Sequence, residues 1–197
     1  MARLRSCAAA ESGAWLDALP VTPWQSLRNF DVRNTLRFRL GYSQFRQDAP
    51  AFDCECGKKV NHANHDHAMV CSQISTDRTL RHDDNAVTLR RSVTRAGLAS
   101  SLEPKVRPIS GGADDPELER PNARGDILVI ADDGLIVIDV SVTHPACDSY
   151  CRGAAAAGGC AAQNREASKV AQYRKQGDRG FKFQPFVLET YGRLGKQ

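Results

Sequence analysis

No stretch of this chain approaches the roughly 20 consecutive apolar residues that a bilayer-crossing helix requires. The opening Met1-Ala-Arg-Leu-Arg-Ser-Cys-Ala-Ala-Ala10 carries arginines but no apolar core before Glu11, so a secretory signal is not expected. Neither charge dominates: 27 Lys+Arg against 23 Asp+Glu leave a net charge of +4, compatible with a nucleic-acid partner but not diagnostic of one. An even, dispersed set of cysteines is also missing. There are seven, an odd number, and they are grouped. That argues against a secreted disulfide framework and for a reducing nuclear or cytoplasmic setting with metal ligation. At 197 residues, 41% hydrophobic and 25% charged, the chain has an ordinary globular composition. Beside a core of about 120 residues there is room for an appendage, but not comfortably for a second full domain.

What is present centres on Arg124-Gly-Asp-Ile-Leu-Val-Ile-Ala-Asp-Asp-Gly-Leu-Ile-Val-Ile-Asp-Val-Ser-Val-Thr143. Ile127–Ile130 and Leu135–Val142 are strand-rich runs, and Ala131-Asp-Asp-Gly134 is the turn between them. If Ile130 pairs with Leu135, Asp126 falls opposite Asp139 and both carboxylates point to one face, with Cβ atoms roughly 5 Å apart. A turn centred on Asp133-Gly134 would slip the pairing by two and make the pair diagonal on the same face. Two carboxylates that close repel, and a hard divalent ion such as Mg²⁺ is the expected occupant. The plainer alternative is a solvated edge-strand aspartate beside a turn residue.

Upstream, Glu11 to about Asp53 predicts two short helical pieces around the Leu19-Pro-Val-Thr-Pro23 break. The second, Leu27–Leu40, sets Leu27, Phe30, Asn34 and Phe38 on one face and most of its arginines elsewhere. Next, Cys54-x-Cys56 with His67-x3-Cys71 supplies four N/S ligands, the number that a closed, structural tetrahedral zinc site takes. Gly57 permits the turn after the paired thiols, while His62 and His65 compete with His67 as the fourth ligand. The alternative is a polar loop of surface thiols and histidines.

Asp83 or Asp84 is expected to cap a helix with Ala86, Leu89, Val93 and Ala96 as its apolar face, stopped at Gly97. A strand from Leu98 to about Pro108 and a loop at Ser110–Pro116 follow. After the hairpin, His144-Pro145 ends the strand, and Cys147–Ala162 reads as a loose Ala/Gly-rich loop feeding a helix, with Cys147, Cys151 and Cys160 as free thiols in preference to a second metal site. Gln163–Gln176 is expected to be helical with Glu166, Lys169 and Tyr173 on one face, and Phe181–Tyr191 to close the sheet. The order helix, strand, hairpin, helix, strand predicts a layered α/β or α+β domain.

These pieces, in order, resemble the C-terminal region of the reading frame of non-long-terminal-repeat retrotransposons that encode a restriction-like endonuclease. The resemblance rests on Ser12-Gly-Ala-Trp-Leu16, Arg39-Leu-Gly41, Cys54-x-Cys-Gly57, Asp66-His-Ala68 with Cys71, and Arg81-His-Asp83. It continues through Arg124-Gly-Asp126, Ile138–Thr143, Lys169 with Tyr173, and Val187-Leu-Glu-Thr-Tyr-Gly192, covering nearly all of the chain.

It implies a PD-(D/E)XK restriction-endonuclease-like core, a mixed sheet flanked by helices, preceded by an N-terminal helical segment and a Cys-Cys-His-Cys zinc knuckle. Residues 1–53 would be a linker after a polymerase region that this chain lacks, 54–80 the knuckle, and 81–197 the nuclease. Asp126 and Asp139 would hold catalytic Mg²⁺ or Mn²⁺, with Lys169 orienting water and Glu166 supplementing the metal site. Arg81, His82, Arg124 and Tyr173 would contact DNA. The partners implied are DNA, element RNA and a reverse transcriptase, with neither a membrane nor a small-molecule substrate. The chain departs from the superfamily pattern at Ser141, where a lysine usually stands two residues after the second acid, and at Pro121-Asn122, where an acid is usual. A nucleic-acid-binding remnant that has lost its chemistry, or a fragment with no function, are the competing readings.

Overall fold

Runs rich in β-branched residues on either side of Asp132-Asp133 fold the chain back into an antiparallel hairpin. The computed structural model describes residues 1–71, 73, 75–104, 125–174 and 180–196. Helices α1 (Ala2–Cys7), α2 (Ala14–Asp17) and α3 (Asn29–Leu40) come first, then strands β1 (Phe52–Asp53) and β2 (Lys59–Val60). Helices α4 (His67–Val70) and α5 (Ser75–Arg95) precede β3 (Ala99–Leu102), β4 (Ile127–Ala131) and β5 (Gly134–Thr143). Helices α6 (Cys151–Ala156) and α7 (Cys160–Arg174) lead to β6 (Lys182–Glu189). The protein is mixed α/β, with a mixed sheet flanked by helices. Among the described residues, no helix is long and apolar enough to cross a membrane.

The chain forms two compact units whose segments interleave in sequence. The first comprises Met1–Arg78, Thr143–Ala161 and Glu189–Leu194; the second comprises Thr79–Val142, Ala162–Leu188 and Gly195–Gln197. The second holds the four-stranded sheet, ordered β3-β4-β5-β6. β4 runs antiparallel to β3, from Ala99↔Ile130 to Leu102↔Ile127, and antiparallel to β5, from Ile127↔Ile138 to Ala131↔Gly134. Period-2 alternation sends Ile127, Val129, Ile136, Ile138 and Val140 to one face, where Ala86, Leu89 and Val93 of α5 pack against them. Ile127 is fully buried, and burying such side chains stabilises by about 1.5–3 kcal/mol each. Val137, Asp139 and Ser141 point to the opposite face, where α7 brings Lys169 to Asp139 and stacks Tyr173 on Phe183 of β6.

In the first unit, α1 packs on α6 and α3, burying Ala2 and Ser6, and Arg5 Nε donates to the Ala155 carbonyl at 2.7 Å. Phe38 of α3 lies 4.8 Å from the Tyr191 ring, centroid to centroid. The β1–β2 pair, Phe52↔Val60 and Asp53↔Lys59, closes a tight turn around Gly57 at φ +80°, a backbone shape that suits glycine.

Several elements differ from expectation for local reasons. No proline or glycine interrupts Ser75–Arg95, so α5 starts well before Asp83 and Asp84, which are exposed mid-helix residues rather than caps. Its end matches: Gly97 takes φ +87° and Leu98 N–H bonds back to Val93 O. β3 stops at Leu102 because Glu103 turns to φ +47°. Leu27 precedes α3, and both it and Phe30 are exposed, so of the expected apolar face Phe38 alone meets an aromatic neighbour. The Ala/Gly-rich stretch contains α6 rather than forming a loop throughout. The expected Ser110–Pro116 loop and the Pro121-Asn122 pair lie outside the described residues.

Candidate functional site

The hairpin takes the first of the two alignments open to it, with Ile130 opposite Leu135. Asp139 therefore sits within β5 on the α7 face, and Asp126 stands one residue before β4 begins. There the chain bends: Asp126 N–H donates to Ile138 O at 2.9 Å, and Glu103 N–H donates to Asp126 O at 2.8 Å. The Asp126 carboxylate turns to the strand backbone, where its Oδ2 accepts from Val140 N–H at 2.5 Å. Gly125 is needed just before it, since a Cβ there would lie 2.1 Å from Val137 Cγ1.

Each aspartate has its own cation. Lys169, one helix face above β5, donates to Asp139 Oδ1 at 3.0 Å and lies 2.9 Å from Oδ2. Ser141 Oγ is 3.4 Å from the same carboxylate. Burial pushes the Asp139 carboxyl above its usual range; Lys169 opposes that shift and the Asp126 charge adds to it. On the other side, His82 of α5 donates from Nε2 to Asp126 Oδ2 at 3.2 Å and from Nδ1 to Asp83 Oδ1 at 3.0 Å. The hydrogen bond to Asp126 raises the imidazole pKa to about 9 against the cost of burial, so His82 is a cation at neutral pH.

Glu166 and Tyr173 are held by contacts other than those at the two aspartates. Glu166 is buried with its carboxylate against Gly195 and the Lys196 backbone, rather than among the groups brought to Asp139. Burial raises its pKa. Tyr173 is 7% exposed and its ring stacks 3.6 Å from Phe183. Arg81 is half-buried at the same end of α5 as His82, its carbonyl accepting from Asn85. Arg124 lies outside the described residues.

The candidate metal cluster lies in the first unit. The turn from Cys54 to Lys58, closed by Gly57 N–H to Cys54 O at 2.8 Å, presents Cys54 and Cys56, while α4 presents His67 and is followed by Cys71. One ligand atom from each of the four lies within 4.8 Å of every other. Cys54 Sγ to Cys71 Sγ is 3.5 Å and Cys56 Sγ to His67 Nε2 is 3.3 Å. A tetrahedral ion with 2.3 Å bonds to sulfur needs ligand edges of about 3.8 Å, so the spacing suits such an ion with little adjustment. The cluster could hold a metal such as zinc. The cluster includes His67 and neither competitor: the His65 ring lies 3.2 Å from Asp66 Oδ1, and His62 is exposed. All seven cysteines are unbridged.

One constellation has no counterpart in the motif reading. Asp66, adjacent to the histidine ligand, gathers Arg3, Tyr191 and His144 around its carboxylate. The separations of 63 and 125 residues leave no periodic trace in the sequence, although Asp66 and Tyr191 both fall in segments that carry the family resemblance. No known protein-family profile matches this chain, and no curated protein matches it in sequence.

Proposed function

We propose that the second unit is a metal-dependent DNA endonuclease of the PD-(D/E)XK kind, derived from a retrotransposon, and that the Cys54–Cys71 cluster is its accessory structural zinc site. The observation that carries this reading is the Asp139–Lys169 contact at 2.9 Å on the face of β5, beside a second acid at the start of the paired strand. Two carboxylates form a hard, anionic donor set suited to Mg²⁺ or Mn²⁺, which would supply a water of lowered pKa and a polarised phosphate. His82 already stands against Asp126 Oδ2 at 3.2 Å as a counterion, so water and phosphate oxygens would complete the shell.

The chain's own groups have definable tasks. Val140 N–H fixes one oxygen of Asp126, leaving Oδ1 for a ligand. Lys169 reaches the site from α7 in place of the lysine absent at Ser141; from Asp139 it can orient water and offset charge building on the phosphate. His82 and Arg81, in the N-terminal half of α5, would meet the DNA backbone. Nicking of a target strand to prime reverse transcription, with element RNA and a polymerase as partners, completes the proposal.

A second reading has an observation in its favour. His82 and Lys169 already balance both acids, as a catalytically inactive nucleic-acid-binding remnant would require. Nicking of supercoiled plasmid by the purified chain decides between them. Cleavage that needs added Mg²⁺ or Mn²⁺ and disappears in Asp139→Ala is expected. Metal dependence is best tested by withholding Mg²⁺, because a chelator would also reach the thiol cluster. A folded, zinc-loaded protein that binds DNA but never nicks it would refute the nuclease.

A further inference from the structure

We propose that metal binding at Cys54, Cys56, His67 and Cys71 holds the first unit together through Asp66, which acts as a clasp for chain segments far from the cluster. This rests on reading the cluster as a metal site and is independent of nuclease activity.

Asp66 immediately precedes the ligand His67. Its backbone is tied to the ligand turn, since Met69 N–H donates to Asp66 O and Cys71 N–H donates to His67 O, both at 2.9 Å. Fixing His67 and Cys71 on one ion therefore fixes the direction of the Asp66 side chain. That carboxylate is where three distant segments meet. Arg3 of α1 donates from Nη2 to Oδ2 at 2.9 Å, and the Tyr191 hydroxyl donates to the same oxygen at 3.2 Å. Arg3 Nε donates in turn to the Tyr191 hydroxyl at 3.3 Å, and its guanidinium lies 5.6 Å from the ring centroid. His144 Nε2 stands 3.9 Å from Oδ2, and its Nδ1 is 2.7 Å from Thr190 Oγ1.

The network reaches further into the unit. Tyr191, 1% exposed, is the largest fully buried side chain among the described residues. Arg39 of α3 donates to its carbonyl and to Cys7 O, linking the end of α1 to the same tyrosine. Burial pushes the Tyr191 phenol up to about 12, so it remains a donor at neutral pH.

The local structure that aims Asp66 cannot support itself. α4 has four residues, far below the roughly 12–15 at which an isolated helix becomes even marginal in water. Without an ion, three thiols and an imidazole provide only weak contacts there. Residues 66–71 would then be free to reorient, and Arg3 and Tyr191 would lose their shared anion. Asp66 makes no side-chain cap for α4, so removing its carboxylate does not remove a helix cap.

Amide hydrogen exchange read by mass spectrometry on the full chain tests this. Zinc-loaded protein is compared with protein stripped by chelation, and occupancy is verified by elemental analysis and by the thiolate charge-transfer band of the cobalt(II) form. The expected result is that metal slows exchange of α1 and of 189–194 roughly tenfold or more. The paired strands β4 and β5 in the second unit serve as an internal control and should be unchanged. In Asp66→Ala the cobalt band should persist, while exchange of α1 becomes fast with or without metal. Equal exchange of α1 in loaded and stripped protein would overturn the clasp, as would an Asp66→Ala protein that keeps the full metal effect. Absence of any cobalt band in the unsubstituted chain would instead overturn the metal reading on which the clasp rests.

Discussion

Replacing Lys169 with methionine removes the cation from a carboxylate that has little access to water. Asp139 is 5% exposed and the Lys169 side chain 17% exposed, with 2.9 Å between their charged atoms. Removing one member of a buried pair costs about 3–5 kcal/mol, and the partly open lysine end lowers the expectation to about 2–4 kcal/mol near pH 8. The cost should depend on pH in a definite direction. Burial already places the Asp139 carboxyl above its usual range, and losing Lys169 raises it further. The folded variant then takes up a proton at a pH where the unfolded chain does not, so its stability recovers as pH falls toward the ordinary aspartate value of about 4. Urea unfolding at pH 8 and pH 5 should show a larger gap between parent and variant at pH 8. Far-UV circular dichroism is the suitable probe, because both tryptophans, Trp15 and Trp24, belong to the first unit. The double variant Lys169→Met, Asp139→Asn should lose less than Lys169→Met alone. An identical gap at both pH values would show that the lysine contributes through its alkyl stem, and the charge argument would fail.

His82 gives a second pH dependence. Its pKa is raised from 6.5 to about 9, so the stability it contributes is complete below about 6.5 and is lost as pH rises through 9. Screening at an imidazole about one-third exposed brings the nominal value of about 3 kcal/mol down to about 1–2 kcal/mol. His82→Gln should therefore flatten the stability profile between pH 7 and 10, and an unchanged alkaline limb would remove the His82–Asp126 contact from the account. Gly125→Ala should cost about 1–3 kcal/mol by driving a methyl into Val137, which thermal unfolding would detect; a neutral result would mean the bend before Asp126 relaxes freely. Cys56→Ser should abolish stoichiometric zinc in elemental analysis while Cys147→Ser retains it, and equal zinc content in both would exclude the cluster as the binding site.

The hairpin was legible because its signal is local: two strand-rich runs, a polar two-residue turn and Gly134 set the alignment without help from the rest of the chain. The zinc-type ligands were legible for a similar reason, since four donors lie within 18 consecutive residues, Cys54 to Cys71. Choosing His67 over His65 was not, because it depends on how residues 61–67 fold, which leaves the His65 ring beside Asp66 and out of the cluster. The reach of Lys169 to Asp139 could be framed from helix and strand periodicity alone. The direction of Glu166 could not, as it is set by Gly195 and Lys196 passing beside the helix. The start of α5 is not legible, because two acidic residues in mid-helix look like a cap when no earlier signal is recognised. The Arg3–Asp66–Tyr191 contacts were invisible, since no periodicity spans such distances.

The way the two acids are balanced sharpens the choice between nuclease and remnant. Two carboxylates near one another need positive charge, which can come from a divalent ion or from the protein. Here the protein supplies it asymmetrically. Lys169 touches both oxygens of Asp139, whereas His82 and Val140 N–H both occupy Oδ2 of Asp126. Asp126 therefore keeps an oxygen for an ion without losing either partner, while Asp139 must release Lys169 from one of its two. That release costs least when the lysine can move onto a phosphate, where it remains paired. Metal affinity measured without DNA should accordingly be weak and should strengthen when a non-cleavable duplex is present. In Lys169→Met the two affinities should converge, since the competing cation is gone. Equal affinity with and without duplex in the unsubstituted protein would mean that Lys169 is a fixed structural counterion, and the remnant reading would then be the better account of this site.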